Sequence, residues 1–160
     1  MTTDVLELGE YFDVRDMATK AREAASMFDG GEEVGDDERS LLLVLNAGLT
    51  NFLTGEYKAV EPEGTTGEEA VEAWVEFAYD IAHSYERLSD EGYTTFHEKD
   101  NVPEVLKEQA EENSVITSLP SYVQSAINWE YVNQYLDSTG AFVEMFIDGE
   151  VYVSNVYLSF

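Results

Sequence analysis

Apolar residues recur at every third or fourth position along most of this 160-residue chain and change to simple alternation only near its end. Val14, Met17, Ala18, Ala21, Ala24, Ala25 and Phe28 form the first such stripe. Asp13 is placed to cap it, Asp16 follows three residues on, and Gly30-Gly31 is placed to stop it. After an acid-rich loop from Glu32, Asp36 or Asp37 is the expected cap of a second helix, which carries Leu41, Leu42, Leu45, Leu49, Phe52 and Leu53 up to Gly55. Its broad apolar face predicts a central position. Residues 56–67 hold Pro62, Gly64 and Gly67 and have the composition of a linker. The clearest stripe is Val71, Trp74, Ala78, Ile81, Tyr85 and Leu88, which predicts a third helix over 67–89, ended by Gly92.

A short strand is expected within Tyr93 to His97. Asn101 and Pro103 open a fourth helix that turns Val105, Leu106 and Ala110 inward. Pro120 opens a fifth, with Val123, Ile127 and Trp129 apolar, running on or breaking once before Leu136. Ala141–Ile147 and Glu150–Tyr157 then alternate about Asp148-Gly149, a type I′ hairpin signal. The predicted class is α+β: mostly helical, elongated, opening with helices and closing on a C-terminal β-hairpin. Composition divides the chain into an N-terminal helical region, 1–60, and an acidic helical region, 61–160. The length suits one domain, or two small lobes sharing a core.

Charge changes this picture more than any motif does. There are 34 acids against 8 bases, a net −26, in a chain that is still 44% hydrophobic. No Lys or Arg follows Lys107. The apolar content is enough for a core, so the charge belongs on the outside of a folded object, where it works against compactness. Duplex DNA carries one charge per ~1.7 Å of axis, so this net charge would match roughly 44 Å, or about 13 base pairs. Phosphate would be repelled, so nucleic acid is excluded as a ligand. A basic DNA-binding protein is the complement. No basic, apolar leader opens the chain, and no apolar run approaches the roughly 18 residues of a membrane span. With no Cys, disulfides and thiolate chemistry are excluded. A soluble cytoplasmic protein is expected.

The carboxylates offer several kinds of chemistry. Glu76, Asp80, His83 and Glu86 have helical spacings like those of carboxylate–His metal sites. A paired site needs a second such set, and His97 has no acid three residues before it, so a solvated polar face is the reading taken and no metal or cofactor is expected. Asp148-Gly149 suits a turn, and Asp29 to Asp37 lacks the ligand alternation of a calcium loop. There is no phosphate-binding glycine loop or nucleophile elbow, so no catalytic residue is assigned and no enzyme is expected. Acidic stripes remain. Glu72, Glu76 and Asp80 are four apart, about 6 Å per step, close to two nucleotide rises of about 3.4 Å. With Glu69 they form one array, and Glu104, Glu108, Glu111 and Glu112 repeat the theme. Together with Glu130 and Asp137 they are the candidate phosphate-mimicking, target-binding carboxylates.

The last third carries a further pattern: Glu111-Glu112, Leu119-Pro120, Val123-Gln124, Ile127-Asn128-Trp129, Tyr131, Leu136 and Gly140-Ala141-Phe142. Pro120 lies nine residues after Glu111, and Gly140 lies twenty after Pro120. In these residues and spacings, segment 93–147 resembles the C-terminal domain of ArdA-type antirestriction proteins. His97 and Asp100 correspond as well. The preceding two-thirds departs from the family, whose members open with a β-strand and a Gly-containing turn. The resemblance implies an elongated acidic mimic of DNA, often a dimer, that occupies the DNA groove of type I restriction-modification enzymes and is carried by phages and conjugative elements. The expected function is therefore stoichiometric inhibition of such a host enzyme. The alternatives are an anti-CRISPR or other DNA mimic and, in a different class, a salt-adapted structural or interaction protein whose charge serves solvation.

Overall fold

The computed structural model describes residues 10–29, 34–56, 60–62 and 67–158. Strand β1 (Tyr11–Asp13) leads directly into α1 (Val14–Asp29), followed by α2 (Asp36–Thr54) and α3 (Gly67–Asp90). Strand β2 (Thr95–Glu98) and a 3₁₀ turn, Lys99–Asn101, precede α4 (Val102–Glu111). Three further helices, α5 (Ser114–Thr117), α6 (Ser121–Ser125) and α7 (Trp129–Ser138), lead to the hairpin of β3 (Val143–Ile147) and β4 (Glu150–Ser154). The α+β class and the hairpin are as the periodicity predicts. The first described element, however, is a strand and not a helix.

Local chemistry sets most boundaries. Asp13 caps α1, its Oδ1 accepting the Arg15 backbone N–H at 2.8 Å. The Arg15 guanidinium returns to the same carboxylate at 2.7 Å, and this hydrogen bonding holds the Asp13 carboxyl below the usual range. Neither Asp36 nor Asp37 caps α2. Gly35 occupies that position without a side-chain bond, and the Glu38 carboxylate folds back to where a Cβ on Gly35 would stand. Asp36, Asp37 and Glu38 fall instead in the first turn, at the positive end of the helix dipole. Helix α3 stops where the Gly92 and Tyr93 N–H groups bond Ser89 and Leu88 carbonyls. The predicted fifth helix breaks once: the run from Pro120 ends at Ser125, and Asn128 caps α7, its Oδ1 accepting the Tyr131 N–H at 3.1 Å. At the hairpin tip Asp148 and Gly149 have φ of 49° and 85°, the pair of positive values that a type I′ turn requires.

The four strands form one antiparallel sheet in the order β1-β2-β4-β3. Tyr11 pairs with His97, His97 with Val153, and Val153 with Glu144, so these four make one row across it. Alternation sends their neighbours to the other face. Phe12, Phe96, Tyr152, Met145 and Ile147 there join α1, α2 and α3 in the main core. Phe12 stacks on Phe96 and meets the edge of Tyr152. Burial pushes the Tyr152 hydroxyl pKa up to about 12, helped by the nearby Glu98, Glu150 and Asp148. Val153, on the opposite face, joins Val102, Leu106 and Val156 in a smaller core under α4 and α7. Adjacent residues of β4 thus feed two different cores. Helix α1 packs on α3, so the regions on either side of residue 60 share the main core.

Candidate functional site

On α3 the stripe Trp74, Ala78, Ile81, Tyr85 and Leu88 is buried, which fixes the opposite face toward solvent. Steps of about 100° per residue place Glu69, Glu72, Glu76 and Asp80 within an arc of about 80° on that face, over roughly 16 Å of axis. The helix is held in this orientation from both sides. The Tyr85 hydroxyl donates to the Leu45 carbonyl of α2 at 2.9 Å, and the Arg22 Nε of α1 donates to Glu86 at 2.8 Å.

On α4, burial of Val102, Leu106 and Ala110 turns Glu104, Glu108 and Glu111 outward, and Glu112 follows in the turn. On α7, packing of Trp129, Val132 and Leu136 against the smaller core turns Glu130 and Asp137 outward. All ten candidate carboxylates are exposed. Among the described residues none of them takes part in an ion pair or a side-chain hydrogen bond. Four of the eight cations are held by other acids: Arg15 by Asp13, Arg22 by Glu86, Arg39 by Asp36, and Lys99 by Glu144 at 3.3 Å, while Lys20, Arg87 and Lys107 form no ion pair among the described residues. The internal pairs therefore neutralise carboxylates outside the candidate set. What is left is a surface of exposed carboxylate acceptors, able to receive Lys and Arg side chains.

The ten do not form one row. Those of α3 point out of the layer on one side of the sheet, and those of α4 and α7 out of the layer on the other. Glu130 and Asp137 line a cleft of about 340 Å³ together with Asp100 and Glu144, two acids outside the expected set. Glu144 was available from the alternation of the hairpin, since it points away from the face that buries Met145 and Ile147. Its approach to α7 was not, because it depends on which face of the sheet that helix covers.

The metal-like face of α3 is occupied differently. The His83 Nδ1 sits 3.6 Å from Glu86 Oε2, and the other oxygen of Glu86 is held by Arg22. Among the described residues, no group of three or more His, Asp or Glu side chains could hold a metal ion. His97 lies apart on β2, half-buried, its pKa lowered by loss of hydration. No helix of the described residues is long and apolar enough to cross a membrane. No family model, curated protein or solved structure matches the chain.

Proposed function

We propose that this protein inhibits a DNA-binding enzyme by presenting carboxylates where the enzyme expects duplex phosphates. The observation that carries the reading is the freedom of the ten candidate carboxylates: every one is exposed, and the Arg and Lys ion pairs among the described residues all engage other acids. Such a surface complements a basic DNA-binding groove and repels DNA itself. The inhibition is stoichiometric, with no bond made or broken. Resemblance of segment 93–147 to ArdA-type proteins directs the proposal to a type I restriction-modification complex as target. The partner is a protein or protein complex, met in the cytoplasm of the host cell.

Competition tests this reading. The purified protein should displace labelled duplex DNA from a type I restriction-modification enzyme in a gel or anisotropy assay, and should not bind the duplex alone. A ternary complex of enzyme, DNA and protein would overturn it and point to inhibition from a separate site.

A further inference from the structure

From Glu111 to Glu144 no residue is fully buried. Ile116, Leu119, Val123 and Ile127 belong to neither core, and Val115 and Tyr122 are 53% and 78% exposed. Of these, Ile116 and Ile127 line a cavity of about 290 Å³ between α4, α5, α6 and the start of α7. Ala110, Ile116, Ile127 and Trp129 give it its apolar lining, and Lys107, Glu111, Gln124 and Ser125 its polar one. Its frame is braced, because the Gln124 Nε2 donates to the Leu119 carbonyl at 2.7 Å and to that of Thr117 at 3.3 Å. The volume lies at the lower end of the ~300–1,000 Å³ of small-molecule pockets, room for one large side chain rather than an extended ligand.

We propose that this cavity receives an apolar anchor residue from a basic segment of the protein's partner. Charge selects that occupant. Glu111 in the lining and Glu108 and Glu112 beside it on α4 and its turn are unpaired and outnumber the one cation of the lining, Lys107, after which no Lys or Arg follows. A second copy laid on this face would bring the same carboxylates against each other, within a net charge of −26 per chain. A segment with Lys or Arg on either side of a Leu, Ile, Met or Phe meets both needs: the anchor covers the cavity and the flanking cations meet the glutamates. The inference rests on the basic partner of the proposed function and adds to it a contact that salt does not screen.

The probe is an oligolysine peptide with one central leucine, beside its twin with alanine at that place. The chain has two Trp, so a Trp74→Phe background leaves Trp129 as the sole indole reporter. In about 0.5 M salt, where charge contacts are strongly screened, the leucine peptide should bind roughly tenfold or more tighter than its twin. It should also shift the Trp129 emission to the blue. Ser125→Phe, made at an exposed rim position, should fill the cavity and abolish the leucine preference while leaving the alanine peptide's affinity unchanged. Ile116→Ala, which enlarges the cavity, should reduce the preference. Equal affinities for the two peptides would overturn the proposal. So would a dimer in sedimentation that Ser125→Phe dissolves, which would make a second copy the cover. Failure of DNA displacement, with the leucine preference intact, would instead remove the mimicry reading and leave the anchor site standing.

Discussion

Gly48 marks the tightest approach of α2 to the sheet: a Cβ there would stand 2.6 Å from Ile147 Cγ1 and 3.4 Å from the Tyr85 hydroxyl. Gly48→Ala gains about 1 kcal/mol of helix propensity but forces Ile147 from a packed site, at ~1–3 kcal/mol. We expect a net loss of about 1 kcal/mol, measured by denaturant unfolding. His97 gives a pH-dependent prediction. Its folded pKa lies below the ordinary 6.5, so the unfolded chain binds more protons. Its contribution to stability is complete above the ordinary value and is lost as pH falls through the folded one. Relief of carboxylate repulsion acts in the opposite direction, so the difference between two proteins is the informative quantity. Unfolding free energies of wild type and His97→Gln, measured between about pH 7 and pH 5, should diverge most at neutral pH and converge on acidification. An unchanged difference would show that His97 does not carry the effect. A fully packed Trp lost to Ala costs ~3–5 kcal/mol, but Trp129 is only half-buried and lines an open cavity, so Trp129→Ala should fall below that range.

The elements that were legible in the sequence are those whose own period announces them. Stripes at helical spacing located α1 through α4, and Asp148-Gly149 located the hairpin, because each signal is local. Strand β1 has only three residues, Tyr11–Asp13, and exists through its pairing with β2 far along the chain, which no local pattern reports. Helix α5 has only four residues, beneath the length at which a period can be read. Exposure of Glu72, Glu76, Asp80 and their counterparts was legible as the complement of a buried stripe. Their separation onto two layers was not. It follows from Tyr152 and Val153 facing opposite ways, and only the assembled sheet decides which helices each one meets. The break ahead of α7 offers a test at this scale. Asn128→Ala removes the cap from the Tyr131 N–H and should cost about 1 kcal/mol, with helical signal lost in proportion in circular dichroism. Retained stability would mean that the smaller core, and not the cap, defines the start of α7.

For the whole molecule, the free carboxylates raise the energy of the compact state and also supply its proposed attraction to a basic groove. Salt therefore has two opposed effects. Rising salt screens self-repulsion, so the melting temperature should climb, while affinity for the target should fall steeply as counterions cease to be released. A flat affinity across the salt series would sink the electrostatic account, and a requirement for molar salt to fold would favour a salt-adapted protein. Replacing Glu69, Glu72, Glu76 and Asp80 together by their amides should raise stability in dilute buffer and weaken DNA displacement. Glu76→Gln alone should alter displacement little, since an exposed pair contributes only ~0–1 kcal/mol. Loss of all inhibition from that single change, with the fold intact, would indicate a specific site at Glu76.

Tyr152 and Val153 are consecutive, about 3.8 Å apart along the backbone, yet one is a keystone of the α1–α3 layer and the other of the α4–α7 layer. Neither layer can loosen at its base without disturbing the peptide unit that anchors its neighbour. The two acidic faces are therefore mechanically in series. A partner gripping the α3 side should slow amide hydrogen exchange in α4 as well, so that a molecule with two charged sides reports an encounter on either of them through a single strand.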